Sequence, residues 1–359
     1  MYAGQYHRNP LSATPQTDRR TWGRHNPHVF RYVTLMWKPE GEPVTEPRTA
    51  PALPRIAIAG GSGFIGRWTT RALVARGERV AVLSHDPARA RRRLGEIGAH
   101  VTVRYADALD PLSFADALRG IEVVINAMQF PGFPVEQPRR GWTFDAVDRQ
   151  GTEWLLAAAK AAGVRRFIYL SGVTVDADGP LPPEPWNRAK WYAEHAVRES
   201  GLDWTILRPG WVYSADDKTL NLIAAQARYS PSIVVIGRER QMVQPVFVGD
   251  LAAVIADCVT RAETVGQTYA IVGTEAIEIA DLYRAVQRAL GVSRPIIRVP
   301  KAVPKAVAAI AMLLPRRLLT PGAIDFVTAS ATADPSPAAR VFGTPFRSLD
   351  EGLMYLHGR

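Results

Sequence analysis

The stretch Ile56-Ala57-Ile58-Ala59-Gly60-Gly61-Ser62-Gly63-Phe64-Ile65-Gly66 constrains this chain more than any other part of it. An apolar run leads directly into glycines at 60, 63 and 66. A buried strand would deliver the chain to a tight turn, where glycine lets the backbone approach a ligand with no Cβ in the way. Amides opening the next helix would then meet an anion with the positive end of their dipole. Alone, such a pattern also fits an ordinary flexible turn. Its setting favours a nucleotide cradle, because a helical pattern follows from Arg67 to Arg76, with Leu73 and Val74 on one side and Gly77 placed as a C-cap. The expected ligand is a dinucleotide held at its pyrophosphate by Gly60, Gly61, Ser62, Gly63, Phe64, Ile65 and Gly66.

From Arg55 onward, strand-like runs alternate with helical ones. The strands are expected at Arg55 to Ala59, Arg79 to Leu83, His100 to Tyr105, Val123 to Asn126, Arg166 to Leu170 and Trp204 to Leu207. Between them, helices are expected at Arg67 to Arg76, Pro87 to Leu94, Pro111 to Leu118, Phe144 to Ala162 and Trp186 to Ser200. This order predicts an α/β doubly wound parallel sheet with right-handed crossovers over residues 55–210. After Gly210 the pattern turns irregular, with short strands near Ile233 to Ile236 and Thr268 to Val272. Helices follow near Leu251 to Arg261, Ile279 to Leu290 and Val303 to Leu314. Residues 211–359 are therefore expected as a smaller α/β lobe over the carboxyl ends of the strands, where open sheets place their ligands.

Residues 1–54 differ from the rest, being rich in Pro, Thr, Arg and Asn without sustained periodicity, and are expected to be a disordered extension. They have no apolar core of a secretory signal and no clear amphipathic helix; a transit peptide, a non-native extension and a start at Met36 are open alternatives. The single Cys258 excludes an internal disulfide and any multi-cysteine metal site, and no other cluster has metal-ligand spacing. A formal charge of +10 is scattered and is not interleaved with aromatics along one stripe, so a nucleic acid partner is not expected. The apolar segment Ala306 to Leu314 is too short to span a bilayer; packing as a helix is expected, and a peripheral membrane contact through Lys301, Lys305, Arg316 and Arg317 is the lesser reading. A cytoplasmic location follows as the expectation.

Several separate segments together resemble the extended, atypical short-chain dehydrogenases/reductases, which are Rossmann proteins of the NAD-dependent epimerase/dehydratase family. Besides the glycine motif they are Tyr105-Ala106-Asp107, Val124-Ile125-Asn126-Ala127, Gly163-Val164-Arg165-Arg166-Phe167-Ile168-Tyr169-Leu170-Ser171, Leu207-Arg208-Pro209-Gly210 and Gln244-Pro245-Val246-Phe247-Val248-Gly249-Asp250-Leu251-Ala252. The resemblance runs from about Arg55 to Tyr355. Lys190-Trp191-Tyr192-Ala193-Glu194 and Phe342-Gly343-Thr344-Pro345 make the branch of the complex I accessory subunit and its bacterial relatives the most similar. The resemblance implies that Asp107, with Ala108 beside it, receives the adenine amino group, that Asn126 and Ala127 line the path of the ribose and phosphates, and that Pro209 packs near the nicotinamide. The plainer alternatives are a turn residue for Asp107 and a strand terminator for Pro209.

Cofactor choice is expected to depend on Val82-Leu83-Ser84-His85-Asp86-Pro87. A carboxylate there would favour NAD(H), whereas hydroxyl and basic groups favour the 2′-phosphate of NADP(H). Asp86 followed by Pro reads as an N-cap and first-turn pair, which leaves Ser84 and His85 at the tip with Arg89, Arg91, Arg92 and Arg93 beyond. NADP(H) is favoured narrowly over NAD(H). Those arginines could equally be a solvated helix face.

Catalysis in the resembled family uses Tyr-x-x-x-Lys, the phenol moving a proton and the ammonium lowering its pKa and holding the nicotinamide ribose. Here Lys190 is present, but Trp186 stands at the tyrosine position, and an indole N–H is no proton donor near neutral pH. Tyr192 points about 200° away from Lys190 on a helix. The hydroxyl partner expected two residues after Ser171 is Val173, with Thr174 adjacent. Catalytic candidates are thus Lys190, Trp186 as a lid or stacking residue, Ser171 and Thr174. Asp148 reads as a helix cap where relatives often carry Asn, Asp250 as the N-cap before Leu251, and His195 as a surface histidine. The leading expectation is an NAD(P)H-binding protein in which the cofactor is structural or sensory, toward a small molecule or a protein partner. The alternative is a reductase or isomerase using Lys190 as acid and base, and a nucleotide-sugar epimerase or dehydratase is disfavoured by the missing tyrosine. Helices Phe144 to Ala162 and Trp186 to Ser200 are the faces by which such proteins dimerise, so monomer and homodimer both remain open.

Overall fold

The computed structural model describes residues 55–237, 240–311, 320–343 and 346–357. Residues 1–54, Thr344 and Pro345 of the closing motif, and Arg316 and Arg317 lie outside them. In chain order the first half runs β1 (Ile56–Ala59), α1 (Phe64–Ala75), β2 (Val80–Ser84), α2 (Pro87–Leu94), β3 (Thr102–Tyr105), α3 (Ser113–Ala117) and β4 (Val123–Asn126). It continues through a π-helical segment, Phe144–Gln150, into α4 (Gly151–Ala161), β5 (Arg166–Leu170), α5 (Pro185–Arg198) and β6 (Asp203–Pro209). The second half adds β7 (Val212–Tyr213), α6 (Lys218–Tyr229), β8 (Ile233–Ile236), β9 (Met242–Val243), β10 (Val246–Phe247), α7 (Val248–Cys258), β11 (Gln267–Ile271), β12 (Ile277–Glu278), α8 (Ile279–Leu290) and β13 (Ile296–Val299). Helices α9 (Ala302–Ala311), α10 (Pro321–Val327), α11 (Ser336–Phe342) and α12 (Leu349–Leu353) follow.

The main sheet has the order β11-β6-β5-β4-β1-β2-β3, and its neighbouring strands are parallel. Strands β1, β4 and β5 are buried at every position, as a sheet covered by helices on both faces requires. Ile56, Ile58, Val82, Ile125 and Ile168 face one layer, while Ala57, Ala59, Leu83, Val124 and Phe167 face the other. The strand order reverses between β1 and β4, which pair from Ile56 with Val123 to Ala59 with Asn126. That crevice is where an open α/β sheet can admit a ligand from the carboxyl edge.

Three elements depart from the sequence reading. The strand expected inside the C-terminal lobe, β11, instead joins the main sheet as a seventh strand beside β6. Helix α7 starts at Val248, so Asp250 lies in its first turn, where its carboxylate accepts from the Arg347 amide at 2.9 Å instead of capping Leu251. Both elements lie beyond residue 210 and pack on the first half of the chain: Leu251, Ile255 and Ile271 share one cluster with Ile56 and Ile125. The long helix expected over 144–162 is divided, with a π-helical start capped by the Thr143 hydroxyl and an α-helical remainder from Gly151. Among the described residues, no helix is long and apolar enough to cross a membrane.

Candidate nucleotide site

The chain leaves β1 through Gly60, whose φ of +80° lies in the left-handed region that glycine reaches without strain. A Cβ at Gly60 would collide with the Ala127 carbonyl, and one at Gly66 with the Gly60 carbonyl. The first and third glycines of the motif are therefore packing requirements: α1 and the end of β4 close directly onto the turn. The Gly63 amide donates to the Gly60 carbonyl at 2.8 Å, and the buried Thr70 hydroxyl reaches the Gly66 and Gly61 carbonyls at 2.8 and 3.2 Å. Helix α1 begins with Gly63 as N-cap, without a side-chain cap and without an acid in its first turn. Its opening amides can thus serve an anion. Phe64 and Ile65 offer those amides while their side chains pack against the cluster containing Tyr213 and Phe247, which anchors the turn to the second half of the chain.

Next to the cradle, the Ala127 amide donates to the Ala59 carbonyl at 2.9 Å. The buried Asn126 side chain donates to Thr152 Oγ1 at 2.9 Å and accepts from the Met128 amide at 3.1 Å, which fixes the loop after β4. Asp107 serves the turn: its carboxylate accepts from the Leu109 amide at 3.0 Å, and its own amide donates to Ser113 Oγ. Ala108 packs against Gly151, where a Cβ would approach within 3.0 Å. At the tip of β2, Asp86 is the N-cap of α2, accepting from the Arg89 amide at 2.8 Å with Pro87 at the first helical position. Ser84 Oγ accepts from the Asp86 amide at 3.2 Å, and His85 is exposed.

Arg67 was not singled out by the sequence. Its Nε donates to the Gly63 carbonyl at 3.2 Å, and its guanidinium pairs with Asp216 at 3.2 Å, so a cation stands at the mouth of the cradle. Burial, followed by repulsion from Arg67 and Arg89, lowers the Arg93 guanidinium from its ordinary value. A basic residue directly after the last motif glycine was the available signal.

Lys190 reaches the carboxyl end of β5, which Ser171 follows in sequence. The Lys190 ammonium donates to the Leu170 carbonyl at 3.1 Å and lies 5.2 Å from the centre of the Tyr169 ring. Its third partner is Asp148, whose carboxylate stands 2.9 Å away with a side chain that is 0% exposed. Asp148 is therefore no simple helix cap. Burial pushes this carboxyl above the ordinary carboxylate range, opposed by the Lys190 ammonium. Burial also works against the ammonium, but Asp148 and Tyr169 outweigh it and hold Lys190 above the usual lysine value. Asn126, Thr152 and Asp148 form one chain toward this point, because Thr152 Oγ1 donates to the Asp148 carbonyl at 2.7 Å.

Trp186 does not form a lid. It is 7% exposed and packs edge-on against Phe326 of α10 at 5.4 Å, in a cluster with Phe130, Phe133 and Phe144. Its large ring is excluded from water by burial among other rings, and its N–H has no hydrogen-bond partner among the described residues. Ser171 Oγ is likewise buried without such a partner. Thr174 is occupied, donating to the Asn187 side-chain oxygen at 2.7 Å. Pro209 is buried at the end of β6, its carbonyl accepting from the Val173 amide at 3.0 Å. Tyr192 is 40% exposed on the outer face of α5. His195 shares that helix and stacks on Trp191 at 3.8 Å, half-buried.

These residues fit a nicotinamide dinucleotide: a turn with no room for side chains, a helix start without a competing cap or acid, and a buried Ser171 hydroxyl without a partner among the described residues. The family described as NAD(P)H-binding matches residues 60–261, more than half of the chain. The mitochondrial NADH dehydrogenase [ubiquinone] 1 alpha subcomplex subunit 9 of Arabidopsis thaliana is 27% identical over 70% of this chain, which spans only 62% of that protein. The NAD(P)H azoreductase of Xenophilus azovorans is 28% identical over 67% of this chain and 75% of the relative. Among solved structures, UDP-glucose 4-epimerase of Thermus thermophilus in complex with NAD superposes with a TM-score of 0.65 at 21% identity, covering 84% of this chain and 96% of the other, a likeness of fold.

Proposed function

We infer that this chain, which belongs to the NAD(P)H-binding family, holds its nicotinamide dinucleotide as a structural or sensory cofactor. The Gly60 to Gly66 turn and the opening of α1 would hold its pyrophosphate, Asp107 and Ala108 its adenosine half, and Ser171, Lys190 and Pro209 its nicotinamide half. The bound nucleotide supplies hydride chemistry; the chain supplies the grip. The single observation that carries this reading is the Lys190 ammonium tied to Asp148 at 2.9 Å while position 186 holds a buried indole. No phenol stands where one would hand a proton to a substrate oxygen, and an ammonium held above its usual pKa is a poor base at neutral pH. NADP(H) is the preferred form, supported by the commitment of Asp86 to its cap and by the positive charges of Arg67, Arg89 and Arg93, which repel one another and would suit a 2′-phosphate.

The similarity to an azoreductase favours a second reading, an NAD(P)H-dependent reductase whose substrate takes its proton from water. Incubating the purified chain with NADPH or NADH and a panel of quinones, azo dyes, enones and ketones separates the two. The structural reading expects nucleotide binding without turnover above the uncatalysed rate. Robust turnover that Lys190→Met abolishes while binding survives would replace it with the second.

A further inference from the structure

Asp148 is a buried acid for which nucleotide binding through the glycine turn has no use. Stability does not account for it either, since a buried ion pair is commonly matched or bettered by apolar residues of similar volume. Its placement is specific. It lies on the buried stripe Phe144, Val147, Asp148 of a seven-residue π-helical segment, while Asp145 and Arg149 pair with each other on the outside. Such segments are uncommon and recur at functional sites. This one brings the carboxylate to 2.9 Å from Lys190 Nζ, and the Asp148 carbonyl is tied through Thr152 and Asn126 to the loop that closes on Gly60.

We propose that Asp148 is a positioning residue that pins the Lys190 ammonium at the carboxyl end of β5, taking over part of the task of the phenol absent from position 186 and converting a proton-transfer site into a fixed-cation site for the nicotinamide-ribose half of the nucleotide. The proposal rests on the reading of Lys190 as a nucleotide contact. The ammonium is held by an ion pair with the Asp148 carboxylate at 2.9 Å and by a hydrogen bond to the Leu170 carbonyl at 3.1 Å. The other titratable groups facing this point are Tyr169 on β5 and, behind it on α5, Glu194, which the Arg208 guanidinium holds at 2.6 Å. Tyr169 is 1% exposed, and burial raises its hydroxyl pKa, so it is no substitute acid.

The test uses the full chain and its Asp148→Asn and Asp148→Glu variants. Two quantities are measured from about pH 6 to about pH 9.5, a range that brackets the values a buried lysine takes when it loses its counter-charge. They are NADPH affinity by calorimetry and, in nucleotide-free protein, the acetylation rate of Lys190 by peptide mass spectrometry. In the parent, affinity should be flat with pH and Lys190 slow to react. In Asp148→Asn, Lys190 should react on the order of tenfold faster at mildly alkaline pH, and NADPH affinity should fall roughly tenfold toward the alkaline end as the lysine loses its proton. Asp148→Glu should lie between, and it decides the matter if Asp148→Asn does not fold. Unchanged Lys190 reactivity and an unchanged pH profile in these variants, even with a lower melting temperature, would overturn the proposal and leave Asp148 merely structural. Faster Lys190 acetylation in Asp148→Asn, with no NADPH bound by the parent at any pH, would uphold the pinning and overturn the nucleotide reading.

Discussion

Replacing Lys190 with Met removes the charge and keeps most of the stem, which leaves Asp148 as an unpaired buried carboxylate. At 2.9 Å two unit charges attract by about 6 kcal/mol at an effective dielectric near 20. Desolvation offsets part of that attraction, and breaking such a pair from one side costs about 3–5 kcal/mol. The lone carboxyl should then have a folded-state pKa well above its unfolded value near 3.9. Above the folded pKa the protein bears the full penalty, because the folded state must hold a charge in a dry site. As pH falls through that pKa the folded state takes up a proton that the unfolded state still lacks, so the penalty shrinks, and it is gone below about pH 4. Urea titrations of parent, Lys190→Met, Asp148→Asn and the double variant, repeated at several pH values, measure all of this. The double variant should recover most of the loss, giving a coupling of about 2–3 kcal/mol between the sites. A single-variant cost under about 1 kcal/mol, independent of pH, would mean that the pair is solvated and that the reasoning fails.

Three further outcomes follow from particular contacts. Gly66→Ala places a Cβ against the Gly60 carbonyl, so it should abolish NADPH binding in calorimetry or force the turn open with a clear loss in melting temperature; unchanged values for both would contradict the close packing. Asp86→Ala removes the cap of α2 and should cost about 1 kcal/mol in urea unfolding while leaving the ratio of NADPH to NADH affinity within about twofold, because the carboxylate is engaged with the Arg89 amide. Paired Arg67→Ala and Arg93→Ala substitutions should weaken NADPH by roughly tenfold or more and NADH much less, as expected for lost charge-assisted contacts to a 2′-phosphate; equal losses would remove the basis for the NADP(H) preference.

The local features were legible in the sequence because a few adjacent residues determine them. Gly60 needed a positive φ, Gly77 follows α1 with a positive φ of its own, and Asp86 caps α2 with Pro87 behind it. What depended on distant residues was not legible. Asp148 and Lys190 meet through the packing of the π-helical segment on α5, and the local pattern around Asp148 is simply that of an amphipathic helix. Trp186 reads as a replacement for tyrosine in a linear comparison; only the arrival of Phe326 from α10 shows that its ring belongs to a core. Glu194 entered only as the last residue of the Lys190 to Glu194 motif, with no contact assigned to it. It is buried and bound by both Arg208 nitrogens at 2.9 and 2.6 Å, a contact between a helix and a strand that no spacing rule announces. Strand β11 was recognised as a strand but assigned to the C-terminal lobe, not to the main sheet beside β6, since its five residues say nothing of their neighbour.

The most direct measurement is calorimetry of the purified full chain with NADPH, NADP, NADH and NAD, run beside Gly66→Ala. The account predicts one saturable site in the parent, tighter for the phosphorylated pair, and none in the variant. Absence of heat and of thermal protection with all four nucleotides would contradict it.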